Sequence, residues 1–419
     1  MNSPSQPSLT TAWLKVLAGT GVNLCLGVLY TWSVIAAALK TQLGWTATQS
    51  QYPYTLACLV FAACMIPGGR LVDKIGPRWV VTAAAIFVGA GMFLSGATTQ
   101  LAGMVIGFGL LVGVALGFGY AAPTPAAVKW FQPHKKGLIA GLVVGGFGGA
   151  SIYTAPLTNS LLNNYGVQNT FFILGGIFFV VMIILAQYLS LPPDGYVPYG
   201  GPPPKAGAGS TTGSKRDYTP GEMLKTPQFY LLWIMFLFGA SAGLMIIGHL
   251  ATISKVQGGL NLGYVFVAVL AVANAGGRIF FGWLSDKIGR TNTMLLVFAV
   301  QAVNMFMFIH YTNTPTLLLG SVLTGAAYGA CLSLFPSVTF DYFGLKNGGF
   351  NYSFIFTAWG IAATIGPIIA GRAMDLTKSY QGGYTISAIL MLVAAGLALV
   401  TKPPKTVPRI TGREVTQGN

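Results

Sequence analysis

The chain has 419 residues, 53% of them hydrophobic and only 7% charged, with 23 Lys/Arg against 8 Asp/Glu and a net charge of +15. Soluble domains carry about 25% charged residues, so this composition excludes one and points to a lipid bilayer. The positive excess lies in turns and tails, where it orients membrane helices, and it calls for no nucleic-acid partner.

Residues 1–14 hold no positive side chain and the first apolar run is too long for a leader core, so no cleavable signal peptide is expected. Apolar segments long enough to cross a hydrocarbon layer of about 30 Å fall at about 12–38, 47–68, 79–98, 101–127, 138–163, 168–191, 227–250, 260–284, 292–311, 314–340, 350–372 and 381–401. They predict an all-α membrane protein with twelve transmembrane helices, not the alternating ten-residue strands of a barrel. Cys25, Cys58, Cys64 and Cys331 all fall inside spans, so no disulfide or metal framework, and no cofactor, is implied.

After the sixth span, Pro192-Pro193-Asp194-Gly195 opens a Pro/Gly/Ser-rich stretch that cannot bury a core. It divides the chain into a first bundle at 1–191, a linker at 192–226, a second bundle at 227–401 and a tail at 402–419. The linker ends in Thr219-Pro220-Gly221-Glu222, a capping box that predicts a short surface helix leading into span seven. Seventeen of the Lys/Arg lie in segments sharing a side with both termini, and four (Lys40, Lys255, Arg372 and Lys378) on the other. The termini are therefore expected in the cytoplasm, in a cell inner membrane.

The halves repeat. Asp73 and Gly76 follow span two as Asp286 and Gly289 follow span eight, each pair 213 residues apart, and Pro123 maps onto Pro336. Two pseudo-symmetric six-helix bundles follow, with a site expected between them near mid-membrane. Glycines recur every four residues at Gly109, Gly113 and Gly117 and at Gly137, Gly141, Gly145 and Gly149, small faces for close helix approach. Gly146 and Gly148 beside them are candidates to leave room for a substrate.

Gly69-Arg-Leu-Val-Asp73-Lys-Ile-Gly76-Pro-Arg78, its repeat Gly282-Trp-Leu-Ser-Asp286-Lys-Ile-Gly289-Arg290, and Trp130-Phe131-Gln-Pro133-His-Lys-Lys136-Gly137 resemble the hallmark loops of the major facilitator superfamily. The resemblance covers nearly the whole chain and implies its fold and a carrier function. Turn aspartates at helix N-termini with basic neighbours can form a latch, so Asp73, Arg78, Asp286 and Arg290 are expected to serve conformational gating.

Arg278 is the one Lys/Arg well inside a hydrophobic run, a position costing roughly 2.5–3.5 kcal/mol and functional by default. It lies eight residues before Asp286, or roughly 12 Å along the helix axis. All eight acids (Asp73, Asp194, Asp217, Glu222, Asp286, Asp341, Asp375 and Glu414) fall in loops, tails or the very ends of spans. With no carboxylate at its depth, the economical counter-ion is an anionic substrate. Asn274, one turn earlier, shares its face, and a planar fork of donors suits a carboxylate.

Asn274-Ala-Gly-Gly-Arg278-Ile-Phe-Phe-Gly-Trp-Leu-Ser-Asp286 is similar to span eight of the monocarboxylate transporter and oxalate:formate antiporter branch. Glu222-Met-Leu-Lys-Thr-Pro-Gln-Phe-Tyr-Leu-Leu-Trp233 and Leu334-Phe-Pro-Ser337 resemble its bacterial members. The branch implies a carboxylate held by Arg278 and an aromatic pocket landing on Tyr30, Tyr120, Phe147 and Tyr328, with Leu29 and Leu332 beside them. Phe335, two turns beyond Tyr328, is expected to line the inner pathway. The oxalate carrier's second cation, a lysine in span eleven, aligns with Trp359 here. One cation matches one carboxylate, which selects a monocarboxylate such as lactate, pyruvate, acetate or formate. Animal members carry a lysine in span one and an aspartate before the arginine, at about Trp32 and Asn274 here. Their span-one acidic-glycine motif is also missing, which removes that particular proton relay.

The expected function is secondary active transport of a small monocarboxylate by alternating access, coupled to a proton. The chain is expected to work as a monomer. The alternatives are anion exchange of the oxalate:formate type or a facilitator of another organic anion. An enzyme would need clustered His, Asp or Glu at membrane depth. His249 in span seven is available to a proton near neutral pH, though a hydrogen-bonded structural role is the plainer one.

Overall fold

Hydrophobic runs this long bury every backbone polar group inside helices, because a bilayer offers no other partner. The computed structural model describes residues 8–46, 49–193, 196–198, 217–260 and 262–404, and these are helical with short turns and contain no strand. The membrane helices are α1 (Leu9–Leu43), α2 (Gln49–Ile75), α3 (Pro77–Ala97) and α4 (Leu101–Val128). A continuous run Lys136–Tyr188 breaks at Gly166, whose φ of 74° and ψ of 176° are not helical, giving α5 (136–165) and α6 (167–188). The second half holds α7 (Pro227–Gly258), α8 (Gly263–Ile288), α9 (Arg290–Phe308), α10 (Thr314–Phe343), α11 (Gly348–Thr377) and α12 (Gln381–Val400). That makes twelve spans among the described residues.

The 213-residue repeat reaches the backbone. Gly76 (φ 86°, ψ 162°) and Gly289 (φ 88°, ψ 156°) separate α2 from α3 and α8 from α9 in the same conformation, one open essentially to glycine alone. Thr219 and Glu222 form the expected reciprocal cap on a four-residue helix, Pro220–Met223. Asp194, Lys205, Lys215 and Arg216 of the linker and Lys405, Arg409, Arg413 and Glu414 of the tail lie outside the described residues, as does the Asp375 side chain.

Two local departures from plain α-helix were not legible in the apolar pattern. Gly27–Thr31 tightens to a 3-10 turn within α1, and Val105–Val112 widens to a π-helix within α4. Gly27 lies against the Phe147 carbonyl and Ala150 of α5, so α1 tightens at one of its close approaches to α5.

Within the first half α1 packs on α5, α2 on α4 and α3 on α6; within the second, α8 packs on α10, α7 on α11 and α9 on α12. The halves meet chiefly along α5–α8 and α2–α11. Glycines set the closeness: Gly109, Gly113 and Gly117 face Leu56, Val60 and Cys64 of α2, and Gly137 and Gly141 face the Gly282 and Arg278 carbonyls of α8. On its other side α8 meets Gly325 and Gly329 of α10, which abut the Leu270 and Asn274 carbonyls. α8 is thus gripped between a helix of each half.

Candidate functional site

Arg278 projects from that gripped helix and is fully buried, at 0% exposure. Its Nε donates to Asn274 Oδ1 (3.1 Å), one Nη to the Val144 carbonyl of α5 (2.6 Å) and the other to the Tyr30 hydroxyl of α1 (3.4 Å). Every one of these acceptors is neutral. Among the described carboxylates, Asp73, Asp286 and Asp341 are engaged at the face where α1 begins and α12 ends, Asp217 accepts from the Lys346 amide there, and Glu222 accepts from the Thr219 amide.

The hydroxyls continue as a chain. Tyr30 Oη lies 3.3 Å from Tyr328 Oη, and the Trp359 indole donates to Tyr328 Oη at 2.8 Å. Tyr30 comes from the first half; Tyr328 and Trp359 come from the second. Around them Phe147 packs edge-on against Tyr30 (5.3 Å between centroids) and Tyr120 (5.2 Å). Leu29 and Leu332 are buried in the hydrophobic core shared by the two halves. Phe335 stacks on Phe236 at 4.4 Å.

The structure adds residues that sequence reasoning passed over. Phe61 of α2 contacts Tyr120, Phe147, Phe356 and Trp359, and Phe356 of α11 stacks on Trp359 at 5.1 Å. Both are ordinary phenylalanines in apolar runs, and nothing local sets them apart. The buried hydroxyls of Tyr120 and Tyr352, one from each half, face each other without a hydrogen bond of ordinary geometry.

Gly146 and Gly148 are accounted for by the protein itself. A side chain at Gly146 would run into the Thr20 carbonyl of α1, and one at Gly148 into the Arg278 guanidinium. His249 lies outside the aromatic layer, with Nε2 3.2 Å from the Pro367 carbonyl.

At the terminal face the two repeated aspartates bridge the halves. Asp286, ending α8, accepts from the Gly137 and Leu138 amides that open α5 (2.9 and 2.8 Å) and pairs with Arg290 at 2.7 Å. Arg290 also reaches Asp341 (2.8 Å), which Lys136 of the other half approaches at 2.9 Å. Asp73, ending α2, accepts from the Phe350 amide of α11 (3.1 Å), with Lys129 3.8 Å away. Burial pulls the Lys129 ammonium below its ordinary range, opposed by the charges of Asp73 and Asp217. Arg78 is exposed, with its guanidinium over the Trp79 ring. A carboxylate at a helix N-terminus meets unpaired amides and the positive end of the dipole, so both contacts join the two halves at this face.

The Major Facilitator Superfamily model matches residues 17–314 and 265–417. An uncharacterized MFS-type transporter, YhjX of Escherichia coli, is 30% identical over 84% of this chain and 86% of its own length. The oxalate:formate antiporter of Oxalobacter formigenes is 29% identical over 96% of this chain and 95% of its own. The crystal structure of the E. coli fucose:proton symporter FucP superposes with a TM-score of 0.72 over 94% of this chain and 100% of that one, at 12% identity.

Proposed function

The chain belongs to the major facilitator superfamily, and from that premise we propose that it is a secondary carrier of a small monocarboxylate, bound through Arg278 and moved by alternating access. The observation that carries this is the guanidinium itself: a full charge, wholly buried, held only by neutral acceptors. An anion supplies what the protein does not, and the forked donors match two carboxylate oxygens. The second charge of a dicarboxylate would meet Trp359, aromatic and already hydrogen-bonded to Tyr328. The aromatic layer of Tyr30, Phe61, Tyr120, Phe147 and Phe356 suits a short carbon chain, in keeping with the carboxylate exchange named for the Oxalobacter relative.

In this reading the bundles are 1–191 and 227–401, and the face with both termini and most of the basic charge is cytoplasmic, in a bacterial inner membrane. Asn274 orients the guanidinium. Tyr30, Tyr120 and Tyr328 offer hydroxyls, Leu29, Phe147, Leu332, Phe335 and Trp359 shape the pocket, and Asp73, Asp286 and Arg290 gate it. Proton symport is the favoured coupling. Exchange is the second reading, supported by the kinship with an antiporter.

The test is a radiolabelled uptake panel (lactate, pyruvate, acetate, formate and oxalate) in proteoliposomes, with wild type and Arg278→Ala. Monocarboxylate uptake abolished by the substitution is expected, and full activity in the variant would overturn the assignment. Acidification of initially empty vesicles during uptake identifies symport; uptake that requires internal anion identifies exchange.

A further inference from the structure

The cation in the site is tied to the opposite half of the protein. Two of the three hydrogen bonds of Arg278 leave its own half, to the Val144 carbonyl of α5 at 2.6 Å and to Tyr30 of α1 at 3.4 Å. In α-helical geometry the Val144 carbonyl already faces the amide of Gly148 one turn on. A carbonyl oxygen has a second lone pair, and whether a cation reaches it depends on the side chain at 148. A Cβ there would sit 2.8 Å from Arg278 Nε and 2.9 Å from Cζ, on the guanidinium itself. The other glycines of this α5 seam face elsewhere: Gly141 meets the Arg278 backbone carbonyl, and Gly145 meets the Ile279 side chain at an ordinary 3.4 Å.

We propose that Gly148 and the Val144 carbonyl form a seat for the Arg278 guanidinium in the substrate-free protein, and that an arriving anion takes the guanidinium over from this seat. The seat does two things. It supplies partial negative charge to an arginine that has no carboxylate partner among the described residues, so the empty carrier is not left with a bare cation. It also adds a strong cross-half bond beside the α5–α8 seam, which must loosen when the terminal face opens. The empty protein is therefore biased toward the form with the terminal face shut, and the anion releases that bias as it binds. The takeover rests on the carboxylate reading given above; the seat itself does not.

Spin labels at the exposed positions Lys135 and Lys346, on the terminal-face loops of opposite halves, in an otherwise cysteine-free chain, report the two forms as short and long distances. Without substrate, the wild type is expected to populate mainly the short distance. Gly148→Ala is expected to raise the long-to-short ratio roughly tenfold or more, the worth of one charge-assisted hydrogen bond. Tyr30→Phe is expected to shift the ratio the same way by less, and it carries the test if Gly148→Ala does not fold. Gly145→Ala, on the same seam but clear of the guanidinium, is expected to leave the distribution in place. An unshifted distribution in Gly148→Ala, or an equal shift in Gly145→Ala, overturns the seat, the second by assigning the effect to helix packing. Saturating L-lactate is expected to move the wild type as Gly148→Ala does. If lactate, pyruvate, acetate and formate, each tried at saturation, all have no effect while Gly148→Ala still shifts the ratio, the seat stands and the carboxylate assignment fails.

Discussion

Asp73 and Asp286 occupy equivalent places in the repeat, 213 residues apart and each three residues before a glycine in the same conformation. They are predicted to be unequal in strength. Asp286 accepts two backbone amides at the start of α5, at 2.9 and 2.8 Å, and holds Arg290 at 2.7 Å. Asp73 accepts the Phe350 amide at 3.1 Å, with the Gly349 amide also turned toward it, and its nearest described cation is Lys129 at 3.8 Å. Asparagine at 286 keeps one acceptor oxygen but turns an NH₂ group toward the second amide and removes the charge facing Arg290. With hydrogen bonds to charged groups worth about 1.5–3 kcal/mol each, the shut terminal face should lose about 3 kcal/mol. At 73 the same change removes one long ion pair and weakens longer amide contacts to Phe350 and Gly349, about 1 kcal/mol. The difference of about 2 kcal/mol corresponds to roughly thirtyfold in the open-to-shut ratio. The Lys135/Lys346 distance distribution measures that ratio for Asp73→Asn and Asp286→Asn. Equal opening in the two variants, or more in Asp73→Asn, would show that hydrogen-bond geometry does not set the latch.

Three other outcomes follow from the site and its packing. Tyr30→Phe removes two long hydrogen bonds, to Arg278 and Tyr328, and should raise the uptake KM a few-fold, about 1 kcal/mol, with the fold intact by thermal unfolding. Trp359→Lys places a second cation beside Tyr328 and should bring oxalate uptake up relative to lactate; an unchanged ratio would remove Trp359 from the selectivity argument. It should also lower Tm, since Trp359 stacks on Phe356 and packs against Phe61, and truncating a core aromatic costs about 3–5 kcal/mol. Gly141→Ala puts a methyl group against the Arg278 carbonyl and should destabilise the protein by about 1–3 kcal/mol, read as a lower Tm, whereas Gly276→Ala, with open space around its Cβ position, should not.

Much of the architecture was legible because bilayer physics acts on short windows of sequence. Twenty apolar residues declare a span, and a turn glycine between two helices, such as Gly76 or Gly289, declares its own backbone. Arg278 declared itself by its cost, which depends on depth and not on neighbours. Gly109, Gly113 and Gly117 announced a packing face, though the partner, α2, came only with the structure. Phe61 and Phe356 stayed hidden because an apolar residue facing lipid and one facing a site obey the same local rule. In sequence Gly148 reads as space for a substrate, and in the structure the guanidinium fills that space.

The sequence by itself determined the twelve-helix membrane fold, its internal repeat and the burial of one arginine without a matching carboxylate, since length, hydropathy and residue counts carry that information. Only the tertiary structure decided which neutral atoms hold that arginine, and that two of them belong to the opposite half. It also decided that two aspartates alike in sequence grip their partners unequally. Hydrogen-bond partners across a helix seam are set by the rotation and distance of two helices far apart in the chain. Val144 lies 134 residues from Arg278, and no local pattern records that juxtaposition.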